Sequence, residues 1–514
     1  MHIAKLAFAA GTAAMALAGA AGPALAQGDR VSVAVSSPPR TMNPHGSDAD
    51  SNLSVMANMF EGLLQRTREG GLKPALATDW ERIDETTWRF ELRKDVTFHN
   101  GNKFTWEDVK YSFNRMANPK VSEFLNFGNK VKSVERVDGD NWTIDVTTKG
   151  PLPYFVQNLH QVFIMDKEST EARSSGKVSQ NPVGTGPYQF VEWVKGSYLR
   201  MKANPEYWGE QPDVKRAEIK PVTQTSTAVA AILSGEVDIL QDVPVSAVDR
   251  IAQNDRVGLI TRPARRSIFL QLTDDEGTPT HDPRVRRAIY HAINEPAIIK
   301  NVMFGHASPA AQIPDPPTTG YSEDIERLEY DPEKARELLA QAGYGDGFSI
   351  ELDGPNDRYV QDEQILQTIA SQLAKVGIDV KVDAKPKSIF FEEVANNELN
   401  FYLIGWFDGS YDFGRTYSKL LHSIDKDAGY GGLNGARFDN AVMDRQYEVS
   451  RDIVDPGLRE KALQLLNELA MDRVAVIPLH YQQDIYAKRQ AANIEWQPRS
   501  DTWIMFKEME RAGS

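Results

Sequence analysis

The sequence predicts an α/β chain of several lobes, and three observations carry that prediction. Its 514 residues amount to about three domains at roughly 150 residues each. Residues 363–384, EQILQTIASQLAKVGIDVKVDA, read as an amphipathic helix, a turn at Gly377 and a strand from Ile378 to Val382. A helix feeding back into a strand implies partly parallel pairing. Residues 69–187 instead carry period-two strands on both sides of one helical stretch, which reads as a compact α+β lobe.

Taken in order, the chain opens with Lys5, an apolar alanine-rich run from Leu6 to Ala21, and PALAQ ending at Gln27. A positive start, a hydrophobic middle and an A-x-A end predict a signal peptide, residues 1–26, cut near Ala26/Gln27. The apolar run is short for a membrane span, which needs roughly 20 residues. No later segment reads as a span, so a soluble mature protein is expected. Cysteine is absent, which removes disulfides, cysteine nucleophiles and thiolate metal sites. It also removes the cysteine that a lipoprotein would acylate. Export without lipidation points to the periplasm of a Gram-negative host. The formal charge of -14 without basic clusters argues against nucleic-acid binding.

In TTWRFELRKDVTF, Trp88, Phe90 and Leu92 share one face and Arg89, Glu91 and Arg93 the other, so a half-buried strand is expected. NWTIDVTT repeats the pattern with Trp142, Ile144 and Val146. Between them, FTWEDVKYSFNRM sets Thr105 and Asp108 at capping-box spacing ahead of Val109, Phe113 and Met116. VGTGPYQF reads as a turn entering a strand from Tyr188 to Trp193. Asp282 and Pro283 predict an N-cap and first helical residue, with Val285, Ile289, Ala292 and Ile293 along one face. Asp331 and Pro332 repeat the device, and Gly343 stops that helix. Phe401 to Trp406 reads as a buried strand spilling into a loop of acids, glycines and aromatics. Such a loop is a surface turn, an active site or the lip of a cleft.

Enzyme motifs are missing. The 9 histidines are isolated, and neither H-E-x-x-H nor G-x-S-x-G occurs. Gly184 and Gly186 lack the third glycine of a dinucleotide fingerprint, and Pro187 stands where the helix would offer amides to phosphate. The pairs Glu107/Asp108 and Asp274/Asp275 read as solvated faces. The expectation is a protein that is not an enzyme, with no cofactor and no metal.

Several stretches then line up with a known family. They include LATDWERIDETTWRFELRKDVTFHNGNKFTWEDVKYSF (76–113), NPVGTGPYQFVEW (181–193), NPEYWG (204–209), DPRVRRAIYHAINEPAIIKNVMFGHASPA (282–310), DPEKARELLAQAGY (331–344) and VIPLHYQQDIYAKR (476–489). On these the chain resembles the extracytoplasmic solute-binding proteins of ABC importers, the peptide/nickel/oligosaccharide group called solute-binding family 5. The resemblance implies a type II periplasmic-binding-protein fold: two hinged lobes and an additional α+β lobe. It divides the chain into lobe I (28–68, 188–283 and the return 480–514), lobe II (69–187) and lobe III (284–479). It implies a monomer that closes on a small solute between lobes I and III and hands it to an inner-membrane permease served by a cytoplasmic ATPase.

The resemblance also implies where the solute sits. Trp406 ends the strand at the cleft and offers an apolar wall, or is ordinary core; Tyr411 can stack and offer a hydroxyl. Peptide-binding relatives carry an amine-anchoring aspartate where this chain has Gly409. The anchor is therefore either moved to Asp408 or absent. Asp412 matches a second family aspartate. Arg358 and Tyr359 stand near the place where dipeptide binders hold the ligand carboxylate, and Asn434 and Asn43 fall at family cleft positions. The expected solute is a short peptide or an amino-acid-derived compound such as a dipeptide, glutathione or an opine. The alternatives are a glycosidic or oligosaccharide solute, a nickel complex and, from another class, a hydrolase.

Overall fold

A computed structural model describes residues 30–173 and 175–513. The expected leader, residues 1–26, lies outside the described residues. An 11-stranded sheet runs through the molecule. Its order from one edge is Ile378–Lys385, Phe348–Pro355, Phe401–Trp406, Val257–Leu272, Val476–Arg489, Ile239–Leu240, Arg30–Val35, Arg216–Pro221, Tyr198–Ala203 and Tyr188–Val194, with Ala307–Pro309 attached to Val476–Arg489. The two longest strands, Val257–Leu272 and Val476–Arg489, lie antiparallel at the centre. They are the link between the halves of the sheet. Their register shifts between Pro263 and Ser267, an irregularity that bends paired strands.

Beyond that shift both faces of the sheet are covered. Ile268, Leu270, Phe401 and Leu403 face a core with Val285 and Ile369. Phe269, Tyr402 and Ile404 point the other way, into a core with Phe413, Tyr417 and Leu463. A strand buried on both faces has no polar side, which is why Phe401–Trp406 reads as unbroken apolar sequence. The sequence reading ended lobe I at residue 283. In the structure Ser267 already pairs with Trp406, and Ile268, Leu270 and Leu272 belong to the core of the following half. The reason is that one continuous strand serves both halves, so the crossing point falls within it.

On the other side, Ala34, Leu240, Ile485 and Ala487 pack with Ile232 and Ile251. Val31 and Val33 face a second core that runs unbroken to Phe90, Phe113 and Ile144. These last residues belong to a 4-stranded antiparallel sheet ordered Ala77–Arg82, Thr87–Leu92, Thr143–Thr148, Val131–Arg136. The 69–187 segment is thus α+β, as its periodicity implies, and shares its core with residues near the N-terminus.

Local signals explain the helix ends. The Thr105 amide donates to Asp108 Oδ2 at 2.8 Å, the return half of a capping box. Asp282 accepts from the Arg284 amide at 2.8 Å, and Asp331 from the Glu333 and Lys334 amides at 3.0 and 2.9 Å. The strand after Gly377 runs on to Lys385, because it pairs in parallel with Phe348–Pro355 over that whole length. Among the described residues no helix is long and apolar enough to cross a membrane.

Candidate functional site

The loop after Phe401–Trp406 is tied down by its own charges. Asp408 is buried. Its Oδ1 accepts from the Ser410 amide at 2.7 Å, Ser410 Oγ at 2.6 Å and Arg415 Nη1 at 2.8 Å, and its Oδ2 from Thr416 Oγ1 at 3.1 Å. Burial pushes its carboxyl up, but Arg415 and the Ser410 donors outweigh burial and hold it below the ordinary aspartate range. Asp412, also buried, takes both ends of the Arg459 guanidinium at 2.6 and 3.0 Å. Trp406 is half-buried against the neighbouring core, and its Nε1 donates to Thr416 Oγ1 at 2.9 Å.

Tyr411 carries the loop across to the other half. Its ring lies between the guanidiniums of Arg265 and Arg66, 3.3 and 4.0 Å from the ring centroid. Its hydroxyl meets Ser500 Oγ at 2.7 Å. Arg66 also donates to the Gly409 carbonyl at 3.2 Å. Gly70, at φ +101°, admits the ring: a Cβ there would stand 2.0 Å from Tyr411 Cε1. The backbone of Tyr411 is itself left-handed, at φ 56°, a conformation costing about 1 kcal/mol or more.

Beside this latch lie two chambers that share Asp50. The first, of about 290 Å³, is lined by Ser36, Asp50, Gln241, Asp242, Arg266 and Arg358. The second, of about 490 Å³, has Lys130, Tyr154 and Gln161 on one wall and Phe407, Arg415 and Lys419 on the other. Asp48, Asp50 and Glu123 also border it. Solute pockets fall in the range of roughly 300–1,000 Å³; the second chamber lies within it and the first at its lower edge.

The charges of the first chamber are open. Among the described residues neither Arg266 nor Arg358 has an ion-pair partner; both stand near the Tyr359 ring, at 6.0 and 5.4 Å from its centroid. Burial, and then Arg358, pull the Arg266 guanidinium below its usual range. Asp50 keeps solvent contact, yet protein surrounds it as a cleft wall does. Desolvation pushes its carboxyl up to about 6, with Asp501 and Asp48 adding to the effect and Arg266 and Arg358 opposing it. Asp484, on the central strand, is pushed up to about 7 by burial and then by Asp242, against Arg266 and Arg262.

The sequence-selected residues divide sharply. Arg358 and Gly409 line chambers. Tyr359 supports the first chamber from below, its hydroxyl donating to the Gly405 carbonyl at 3.1 Å. Asn434 is spent on backbone: its amide donates to the carbonyls of His422 and Phe438 at 3.1 and 2.7 Å, and its oxygen accepts from the Phe438 amide at 3.0 Å. Asn43 likewise donates to the Val121 carbonyl at 3.1 Å. Sequence reasoning missed Asp50, Arg266, Lys130 and Lys419. The available signal was weak: Asp50 follows the TMNPH stretch already singled out, and Arg266 precedes a run of apolar strand residues. Glu351, Asp353 and Asp383 lie close enough to share a cation. Lys385 Nζ already stands 2.8 Å from both aspartates and 2.6 Å from Glu393, and Lys381 Nζ stands 3.2 Å from Glu351, so each of these carboxylates already faces an ammonium group.

Comparison with known proteins adds the following. Residues 71–427 match the middle region of the bacterial extracellular solute-binding proteins, family 5. The chain is 31% identical over 471 residues to the glutathione-binding protein GsiB of Salmonella choleraesuis, covering 90% of each. It superposes on HbpA2 from Haemophilus parasuis with a TM-score of 0.84 at 21% identity, covering 94% of this chain and 99% of that one. It superposes on DppA from Helicobacter pylori in complex with the peptide STSA with a TM-score of 0.74 at 23% identity, covering 94% and 98%. These structures share its type II periplasmic-binding-protein fold.

Proposed function

Because this chain belongs to the bacterial extracellular solute-binding proteins, family 5, the solute-binding components of ABC importers, we propose that its solute is a short peptide or an amino-acid-derived compound of the glutathione kind. One observation carries this: Arg266 and Arg358, without ion-pair partners among the described residues, line the same chamber as Asp50. An amino-acid head group offers a carboxylate to the two guanidiniums and an ammonium to the carboxylate. Charge-assisted pairs of this type are the strong ones. The relatives named as glutathione-binding proteins point to the same solute class. A neutral glycosidic solute would desolvate both guanidiniums with nothing to replace the water, at about 1–3 kcal/mol each, and ranks second.

In this reading Arg358 and Gly409 face the solute. Asp408, Tyr411 and Asp412 shape the loop that closes over it, Trp406 and Tyr359 support that loop and the chamber floor, and Asn434 and Asn43 hold their own turns. The halves hinge at the register shift between Pro263 and Ser267. A solute that touches both halves binds the closed form better and shifts the population by that difference in affinity. The protein works unlipidated in the periplasm as a monomer, after removal of its leader. It delivers the solute unchanged to a membrane permease whose ATPase drives import. Denaturing the purified protein and identifying the released compound by mass spectrometry tests the class. Recovery of intact glutathione, a dipeptide or an opine is the expected result. A neutral sugar, or a solute recovered in altered form, would refute the proposal.

A further inference from the structure

We propose that Lys130 and Lys419 form a second anion subsite, which takes an acidic group at the far end of the solute and so selects compounds anionic at both ends. This deepens the reading above and rests on it. Both lysines line the larger chamber, and among the described residues neither has an ion-pair partner. Lys130 comes from the 69–187 unit and Lys419 from helix Phe413–Leu420 of the opposite half. The third cation there, Arg415, is already committed to Asp408 at 2.8 Å.

The surroundings explain why an anion belongs between them. The charges acting on Lys130 are Arg415 and Arg451, and those acting on Lys419 are Lys130 and Arg415. Crowding by the surrounding protein first, and then these cations, lower both ammonium groups, although Lys130 keeps an exposed surface and Lys419 part of one. Asp48, Asp50 and Glu123 border the same chamber, and among the described residues none of them forms an ion pair with either lysine. Lys130 and Lys419 come from opposite halves, so like charge faces like charge across the gap between them. Closing that gap empty brings the cations together in a desolvated space; closing it on a carboxylate replaces repulsion by attraction. The anion thus favours the closed form specifically, which is what shifts a two-state equilibrium. With an α-amino-acid head group at Asp50, Arg266 and Arg358, a carboxylate two residues further along a peptide-like solute extends toward Lys130 and Lys419.

Calorimetric titration of glutathione and of its glycine monoethyl ester tests this. The wild type is expected to bind the ester about tenfold or more weakly, the scale of a lost charge-assisted contact. In Lys130→Gln/Lys419→Gln the two compounds are expected to bind alike, within about twofold. A double variant that keeps the full discrimination, or a wild type that shows none, overturns the subsite. If the wild type binds no glutathione at all, the glutathione reading fails separately. Inorganic phosphate alone then decides the subsite by thermal unfolding. A phosphate-induced rise in the wild type that the double variant lacks supports it, and equal rises in both overturn it. Lys130 is exposed and Lys419 partly so, so both variants are expected to fold.

Discussion

The loop at 407–412 and the wall of the first chamber are equally rich in charge, and they use it in opposite ways. Asp408 and Asp412 each close on an arginine of their own half, Arg415 and Arg459. Among the described residues Arg266 and Arg358, at the edge of the first chamber, have no such partner, and neither do Lys130 and Lys419. Burying a charge costs several kcal/mol unless it is paired. The half-buried Arg266 guanidinium is therefore a standing cost that a solute can remove, and the exposed Arg358 beside it is free to take a ligand, whereas a paired aspartate has nothing left to offer one. Asp408 and Asp412, the aspartates to which motif reasoning points first, are here the structural half of that contrast.

The largest way to break the contrast is Arg459→Met. It leaves the Asp412 carboxylate buried and alone, for an expected loss of about 3–5 kcal/mol in stability by urea unfolding. Solute affinity of the folded protein should stay within about twofold. A protein as stable as the wild type would mean that Asp412 is not structural. Next comes Arg358→Gln, and in parallel Arg266→Gln. Affinity for glutathione or a dipeptide should fall by about 1.5–3 kcal/mol, or roughly tenfold to a hundredfold. The unfolding midpoint should hold for Arg358→Gln, where the side chain is exposed, and hold or rise for Arg266→Gln, where a partly desolvated charge is removed. Lost stability with unchanged affinity would reverse the roles assigned to the two regions.

How much of this the sequence disclosed depends on the range over which each signal acts. The caps at Asp108, Asp282 and Asp331 need only two or three neighbouring residues, and they are visible in the string. The buried strand Phe401–Trp406 shows because two covered faces leave it no polar position. Asn434 misleads for a related reason. A glycine-rich turn looks open in sequence, yet its carbonyls and amide take up every polar atom of that side chain. The open charges are invisible for a deeper reason: whether a guanidinium is free depends on what did not fold against it. Lys130 and Lys419 come from opposite halves, and Arg266 lies inside the register irregularity between Pro263 and Ser267, which no local pattern marks.

A smaller effect sharpens the contrast at the latch. Tyr411→Phe keeps the ring between Arg66 and Arg265 and removes only the hydroxyl contact to Ser500. The expected cost is about 0.5–1.5 kcal/mol. Because that contact joins the two halves, the loss should show in solute affinity and in the extent of closure seen by X-ray scattering. If instead global stability alone falls, with affinity and closure intact, the loop is a fixed part of one half and not a latch.

The smallest expected effect concerns pH. Asp484 lies on the central strand near the hinge, pushed up to about 7 by burial and by Asp242. Its Oδ2 has no hydrogen-bond partner among the described residues. An aspartate raised from 3.8 binds its proton more tightly in the folded than in the unfolded chain. The folded state then carries the extra proton between about pH 4 and about pH 7, so stability falls as pH rises through that window and levels off above it. Asp50, raised to about 6, adds to the same slope at its lower end. Asp484→Asn removes its share. The variant should match the wild type near pH 4 and exceed it near pH 8 in thermal unfolding without solute, the margin opening between those values. The margin stays small because Asp484 keeps part of its surface in water, and solvent screens the interaction. An Asp484→Asn protein that is less stable than the wild type at both pH values would show that the carboxylate is paired in the folded protein. Asp484 would then belong with Asp408 and Asp412 rather than with the open charges of the cleft.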